Sequence, residues 1–394
     1  MSKKSLQIER IAEAADLEKL KEIWNALLER NATRTVELTY EWQMTYWKHF
    51  KQNAELFILV VKADEAVIAL APLKLTKTGL PGIPIRTLEF IAASESNYQD
   101  FIIGENSDAV LATLRDYLKC NNLWARLKLN HVPESSPTAR FFLDSQSIPF
   151  LHRVAEVERC TYLETDGSWE KHVEGLHKKK REHTINNRRR ALQKFGDIIL
   201  YHCTDKEQLE FDLQSFFALH CKRWNPTDTP SQFNDKRYRE FYLEVSPQLQ
   251  SKGQVDLFVL RVSNTPVALL YSFLFREDCQ WQLITYDTDY SRGSPAIILQ
   301  EAFVKEAFTT GIRTIDDGYY YHYKELWADK MKNRLNIEVY PKKPISYLFY
   351  GFKCMLSFLK MNLKKIGPLR SLVRYIRHQA RTFSKRVPIT TYSG

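Results

Sequence analysis

The sequence predicts an α/β (α+β) protein with mixed, mainly antiparallel sheets, built as two like halves and followed by a basic helical tail. Three observations predict this. The order strand, helix, helix, antiparallel hairpin, helix, strand can be read twice along the chain. At 394 residues the chain is long enough for about two domains with their own cores. Its 44% hydrophobic and 13% aromatic content belongs to a packed chain rather than a disordered one. The expected units are an N-terminal subdomain over 1–165, a C-terminal subdomain over 166–340 and a tail over 341–394. The hairpins fit a mixed sheet better than a doubly wound parallel one.

In the first half, residues 5–11 read as a strand and 16–31 as a helix with Asp16 placed to cap it. Residues 39–50 (TYEWQMTYWKHF) form a second short helix with Trp42 and Trp47 turned inward. Residues 56–61 and 67–75 make an apolar hairpin across Ala63-Asp64-Glu65. A strand over 87–91, a polar loop over 94–100, a helix over 107–121 and strands over 124–130 and 162–164 complete this half. The second half opens with a long helical pattern over 169–195, which contains HKKKREHTINNRRRALQKFG. A strand over 198–203 and helices over 206–224 and 235–249 follow. Residues 256–262 and 266–276 form the second hairpin, across Asn264.

The segment from Trp281 to Trp327 then reads strand, Ser/Gly/Pro turn, amphipathic helix, glycine stop at Gly311, and strand. A turn such as Ser291-Arg292-Gly293-Ser294-Pro295-Ala296 at the start of a helix presents free N–H groups and the positive end of the helix dipole. That suits a pyrophosphate, with Arg292 as a fixed charge beside it. Short Ser/Gly turns also join strands to helices with no ligand at all, so the turn alone decides nothing.

Other classes are less favoured by composition. The charged start, Met1 to Arg10, does not read as a signal peptide, and no uncharged run is long enough to span a bilayer. The six cysteines are scattered, without CxxC and without metal-ligand spacing to histidine, so a cytoplasmic, reduced protein with no metal is expected. The formal net charge is +10, but residues 341–394 hold 12 Lys and Arg and no Asp or Glu, which leaves the body near neutral. In that tail Ile345, Leu348, Phe349, Phe352, Met355, Leu356, Leu359, Leu363 and Ile366 fall on one helical face. Ser346, Lys353, Ser357, Lys360 and Lys364 fall on the other. Gly367-Pro368 breaks the pattern, and a second basic amphipathic helix follows. Residues 345–386 therefore suit an anionic membrane surface, or docking of the apolar face on the protein's own body.

The motifs, taken together, resemble a known family. Tyr40-Glu41-Trp42, the basic run 178–190, Leu219-His220, Arg223-Trp224, Val267-Ala268, Tyr286, Tyr290, Ser294-Pro295-Ala296, Gly311 and Tyr323-Lys324 stand in order over roughly residues 5–340. In this order they resemble the CelD/BcsL-type acyltransferases of the GNAT superfamily, which are similar to the FemAB aminoacyltransferases. The resemblance implies two GNAT-like subdomains and an acyl-CoA donor, with acetyl-CoA the first expectation. It also implies a cytoplasmic role in modifying an exopolysaccharide, a cell-envelope glycan or its lipid-linked sugar precursor, and the tail would place the protein peripherally on the inner face of the membrane. The sequence departs from the family pattern at Ala296, where glycine is usual, and at Glu325-Leu326, where two arginines are common.

The chemistry such a reaction needs can be assigned to residues. The donor would lie where the strands over 280–286 and 313–317 splay, with Tyr286, Arg292, Gly293, Ser294, Pro295 and Ala296 at its pyrophosphate. Asp316, Asp287 and His220 are the candidate bases, Tyr323 the proton donor to the leaving thiolate, and Lys324 a local charge beside it. Each has a plainer reading: Asp316-Asp317 as a polar turn, the tyrosines at 319, 320, 321 and 323 as aromatic packing or a sugar-stacking platform, and His220 as a core histidine. The run 177–190 reads as a solvated basic face or as a site for an anionic donor or acceptor. It lacks the spacing of a DNA reader, and a tRNA partner follows only if the chain is a FemAB-like aminoacyltransferase. A catalytically silent GNAT-like scaffold in a polysaccharide assembly is the third reading.

Overall fold

The structure, a computed structural model, describes residues 5–80, 83–144, 149–175, 178–321, 324, 326–328 and 330–363. The first half runs β1 (Leu6–Ile11), a 3-10 segment Ala14–Leu20, α1 (Lys21–Leu28), α2 (Tyr40–Phe50), β2 (Glu55–Ala63), β3 (Ala66–Leu80) and β4 (Ile83–Phe90). It continues with β5 (Ile102–Ile103), α3 (Ser107–Cys120), β6 (Arg126–Pro133), α4 (Pro137–Leu143) and β7 (Leu151–Glu164). The second half runs α5 (Trp169–Gly175), α6 (Lys178–Gln193), β8 (Ile198–His202), α7 (Lys206–Trp224), α8 (Lys236–Gln250), β9 (Val255–Val262), β10 (Thr265–Phe275) and β11 (Asp278–Tyr286). It ends with α9 (Pro295–Ala307), β12 (Thr314–Tyr319), β13 (Lys330–Tyr340) and α10 (Pro344–Leu363).

The strands form one mixed sheet in the order β1-β2-β3-β4-β6-β13-β7-β12-β11-β10-β9-β8, with β5 beside β3. All neighbours are antiparallel except β4 with β6 and β11 with β12. The two halves are joined by an exchange: β13 pairs with β6 of the first half, while β7 pairs with β12 of the second, and β7 and β13 pair with each other at the centre. The sheet therefore runs straight across the expected boundary at 165/166.

Alternation along the strands sorts the core into layers. Leu56, Ile58, Val60, Leu257, Val259, Leu269, Tyr271 and Phe273 face α1, α2, α7 and α8 in a core shared by both halves. Phe57, Leu59 and Leu73 face α3 and α4 on the other side, as do Phe258, Leu260 and Leu270 toward α6 and α9. Trp42 couples the halves: it is fully buried, stands edge-on to Phe241 and Phe273, and donates its indole N–H to Ser96 Oγ. Thr39 caps α2 by accepting from the Trp42 N–H.

Some elements differ from expectation. Asp16 lies inside a 3-10 segment that starts after Glu13, not at a helix cap, and α1 ends at Leu28. Of the long helical pattern over 169–195 the structure describes α5 and α6, and residues 176–177 between them lie outside the described residues. β7 begins eleven residues before the short strand expected at its end, and β13 was not anticipated; both carry many charged residues, which mask strand periodicity. In the tail, residues 364–394 lie outside the described residues.

Candidate active site

The parallel pairing of β11 and β12 spans only Asp278–Gln280 and Thr314–Asp316. Beyond Gln280 and Asp316 the strands part, β11 continuing along β10 to Tyr286 and β12 along β7 to Tyr319. A V-shaped gap thus opens in the sheet at the end of the short parallel stretch, as the sequence led one to expect for residues 280–286 and 313–317.

Two acids stand at the apex. β12 bulges between Asp316 and Gly318, where Gly318 takes a φ of +68°, a conformation that favours glycine. Asp316 Oδ1 accepts the Gly318 N–H at 2.7 Å, and its Oδ2 accepts the Tyr98 hydroxyl at 2.6 Å and the Lys332 ammonium at 2.6 Å. Asp317 turns the other way, to Lys324, whose ammonium lies 3.1 Å from Oδ1. Among the described residues its Oδ2 is buried without a hydrogen-bond partner, and burial, opposed by Lys324, pushes this carboxyl up to about 7. So Asp316-Asp317 is a strand bulge that aims two buried carboxylates apart, not a turn after the strand.

Asp316 lines a cavity of about 390 Å³ at the junction of the two halves, together with Tyr98, Gln280, Tyr162, Lys332 and the backbone and side chains of residues 32–36. Behind it the loop between β4 and β5 reaches into the V. Asn97 Nδ2 donates to Gln282 Oε1 at 2.6 Å, and Gln282 Nε2 donates to the Glu95 carbonyl. Two further buried acids hold this loop. Glu37 accepts the N–H groups of Asn97 and Tyr98, and Glu95 accepts Tyr242 and Gln232. Burial pushes each of these carboxyls up to about 7, against those same hydrogen bonds.

The turn after β11 lies across the sheet from this cavity, on the side of α6 and α9. Thr288–Gly293 is a 3-10 segment, Ser294 takes a left-handed φ of 46°, and Pro295 begins α9. Arg292 and Ser291 are exposed and Ala296 is half-buried; the Ser294 N–H donates to the Ser291 carbonyl, Pro295 has none, and Ile297 and Ile298 donate to the Ser294 carbonyl, which leaves the Ala296 N–H for a ligand. Gly293 and Pro295 are buried instead. A Cβ on Gly293 would stand 2.9 Å from Leu192 Cβ, so this glycine lets α6 pack against the turn. The basic helix is thereby fixed beside the turn, with Arg189 bound to Glu301 on α9. An anion at the turn would meet the Ala296 N–H, Arg292 and the positive field of α6. The residues present fit a pyrophosphate.

The other expected site residues divide. Tyr286 ends β11 under the Arg223 guanidinium, 4.4 Å from its ring. Asp287 caps the 3-10 segment and binds Lys222 at 2.5 Å, and Lys222 also binds Asp289, so this acid braces the corner to α7. His220 stacks on Phe216, stands edge-on to Phe233 and shares a hydrogen bond with Ser231; burial and Arg223 press it down to about 4. That is a packing histidine. Lys324 pairs with Asp317, and Tyr323 lies outside the described residues. Tyr319 and Tyr321 are exposed at the end of β12, their rings 5.3 Å apart. Tyr98, Lys332, Glu37, Glu95 and Asp317 were not singled out from the sequence. The one local signal is charge inside an apolar run, as at Glu37 within TVELTYEW.

Residues 179–325 match the family model described as "Acetyltransferase (GNAT) domain". This stretch of the second half is thus similar to a GNAT-type acetyltransferase domain. The matched stretch holds the V, both acids and the turn. Beyond that stretch the chain is similar in fold to the crystal structure of FemX, at 11% identity and a TM-score of 0.59, covering 88% of this chain and 100% of that one. It is also similar to a conserved protein of unknown function from Bacteroides thetaiotaomicron VPI-5482, at 12% identity and a TM-score of 0.54, covering 85% and 100%. At such identities the likeness is one of fold. No curated protein matches. The fold is mixed α/β with GNAT-like neighbours, and the GNAT-type domain implies an acyl-CoA co-substrate.

Proposed function

We propose that the protein is an acyl-CoA-dependent acyltransferase, with acetyl-CoA as the first donor to test and a glycan or lipid-linked sugar as acceptor. One observation carries this reading: a GNAT-type V opens between a positive turn on one side and a cavity holding a buried carboxylate on the other. Bound acyl-CoA supplies an activated carbonyl and a thiolate leaving group. Arg292 and the Ala296 N–H hold the pyrophosphate, with α6 adding charge. Of the two carboxylates that line the cavity, Asp278 is exposed and Asp316 is the buried one, and Asp316 takes the proton of the acceptor hydroxyl or amine. Tyr98 and Lys332 fix its Oδ2 from the first half and from the exchanged strand. The site is therefore complete only when both halves are in place. Tyr319 and Tyr321 offer apolar ring faces on which a sugar can stack.

Titration calorimetry with acetyl-CoA and CoA tests the reading. Binding of both in the micromolar range, abolished or weakened by changes at the turn, is expected; no binding of either would overturn it. A FemAB-like aminoacyltransferase is favoured by one observation, the basic helix packed on the donor turn. It predicts that aminoacyl-tRNA binds and acetyl-CoA does not. A non-catalytic scaffold predicts binding without turnover against any acceptor.

A further inference from the structure

The last described helix meets the body with an unexpected face. Ser346, Lys353 and Ser357 were read as the polar, outward side of the tail helix, yet they face inward. Ser346 is fully buried and donates to the Ala125 carbonyl, Ser357 accepts from Arg153, and Lys353 is half-buried, with its ammonium pulled down by that burial. Only one apolar row joins them. Phe349 is buried and Ile345 packs with it against Ile85, Ala125 and Tyr340. Phe352 and Leu356 are half-buried, while a further apolar row is left in water: Leu348 is 59% exposed, Met355 50% and Phe358 63%, with Tyr347 and Leu359 also exposed. At ~100° per residue these side chains and Cys354 share an arc of about 140°. It contains no charged residue.

An apolar arc of this size on a helix that has already docked calls for a partner. Charge says which kind. Lys342 and Lys343 precede the helix, and residues 364–394, directly after it, carry eight Lys and Arg and no acidic residue. An apolar stripe bracketed by bases, on a helix lying along the surface, suits the boundary between headgroups and acyl chains of an anionic bilayer. Among the described residues no helix is long and apolar enough to cross a membrane, so the contact would be in plane.

We infer that α10 is an in-plane anchor, seating Leu348, Met355 and Phe358 in an anionic lipid surface while the inner row holds the enzyme body to it. The occupant is lipid, not a second copy and not the chain's own continuation.

Sedimentation of the full chain with phosphatidylcholine vesicles, with and without about one-third phosphatidylglycerol, tests this. The wild type is expected to sediment with the anionic vesicles only. Leu348→Asp combined with Phe358→Asp is expected to weaken that binding about tenfold or more, with the melting temperature unchanged because both side chains stand in water. In a second arm, Cys354 is labelled with an environment-sensitive dye in a Cys120→Ser background, since these two cysteines are exposed. Its emission should shift to the blue on adding anionic vesicles. The inference fails if the wild type stays in solution, or if the double variant binds as well as the wild type, which would assign binding to the bases alone. It also fails if the dye does not respond, if the double variant melts markedly earlier, or if it only turns a dimer into a monomer.

Discussion

The two halves contain the same device in two states. In each, two neighbouring strands run parallel for three residues and then part: β4 with β6 in the first half, β11 with β12 in the second. The last parallel pair is Glu89 with Lys128 in one and Gln280 with Asp316 in the other. In the first half an ion cluster closes the apex, with Lys128 3.4 Å and Lys74 3.9 Å from Glu89. In the second half the acid is left to partners from elsewhere, Tyr98 and Lys332, and a cavity opens beside it. The helices that follow differ in the same sense. Asn106 and Ser294 both take left-handed φ values before α3 and α9. Yet Glu105 and Asp108 flank the start of α3, where an anion would be repelled, whereas Arg292 stands at the start of α9. A duplicated framework thus keeps one competent gap and one sealed gap, and sequence at a few positions decides which is which.

The sharpest way to break this comparison is to change the two apices in parallel. Asp316→Asn should lower turnover about 100- to 10,000-fold, read as CoA release with acceptor, because the group that takes the proton is lost. Acetyl-CoA binding by calorimetry should stay near wild type. Glu89→Gln, at the matching position, should leave turnover within about twofold. Equal losses at both would remove the distinction between the halves.

pH tests the loop that fills the open gap. Glu37, Glu95 and Asp317 have folded values of about 7, above the usual carboxylate range. Such groups take up protons on folding, so their favourable contribution is complete below about pH 4 and is lost as pH rises through 7. Denaturant unfolding should therefore show the protein less stable at pH 8 than at pH 6, by about 1.3 kcal/mol per group. Glu95→Gln keeps an oxygen for Tyr242 and Gln232 and should flatten that dependence. An unchanged slope in this variant would show that Glu95 is not a source of it. In the sealed gap, Glu89→Gln leaves Lys74 and Lys128 without their shared anion and should cost about 1–3 kcal/mol in the same assay.

The comparison also explains what could be read in the sequence. The framework was legible because both halves repeat local patterns: α7 occupies the residues expected of it, and the hairpins and α9 fall where period and turn residues put them. β13 was missed because KMKNRLNIEVY puts charge on residues that the central strands bury or bind, as with Arg334 on Glu158. The acids were visible as letters, but their difference was not. Tyr98 lies 218 positions from Asp316, and Lys332 reaches it only through the exchange of β13 between halves. No local period encodes such a contact. His220 and Asp287 show the converse. Their residue types suit catalysis, but three-dimensional neighbours, an aromatic cage and Lys222, give them packing and bracing to do.

The smallest expected effect distinguishes the two helix starts. Arg292 is exposed, so water and salt screen its attraction for a phosphate, and its removal should weaken acetyl-CoA binding by only about three- to tenfold. Because the interaction is between exposed charges, the loss should shrink as salt is raised toward about 0.5 M. The matching change at α3, Glu105→Arg, should not create a second donor site. A Cβ on Gly104, just before it, would press Leu27 at 2.7 Å, so the backbone there is committed to packing against α1. Calorimetry on wild type, Arg292→Ala and Glu105→Arg should thus return one site in each case. A second site in Glu105→Arg would mean that charge alone, rather than the closed apex at Glu89, keeps the first half silent.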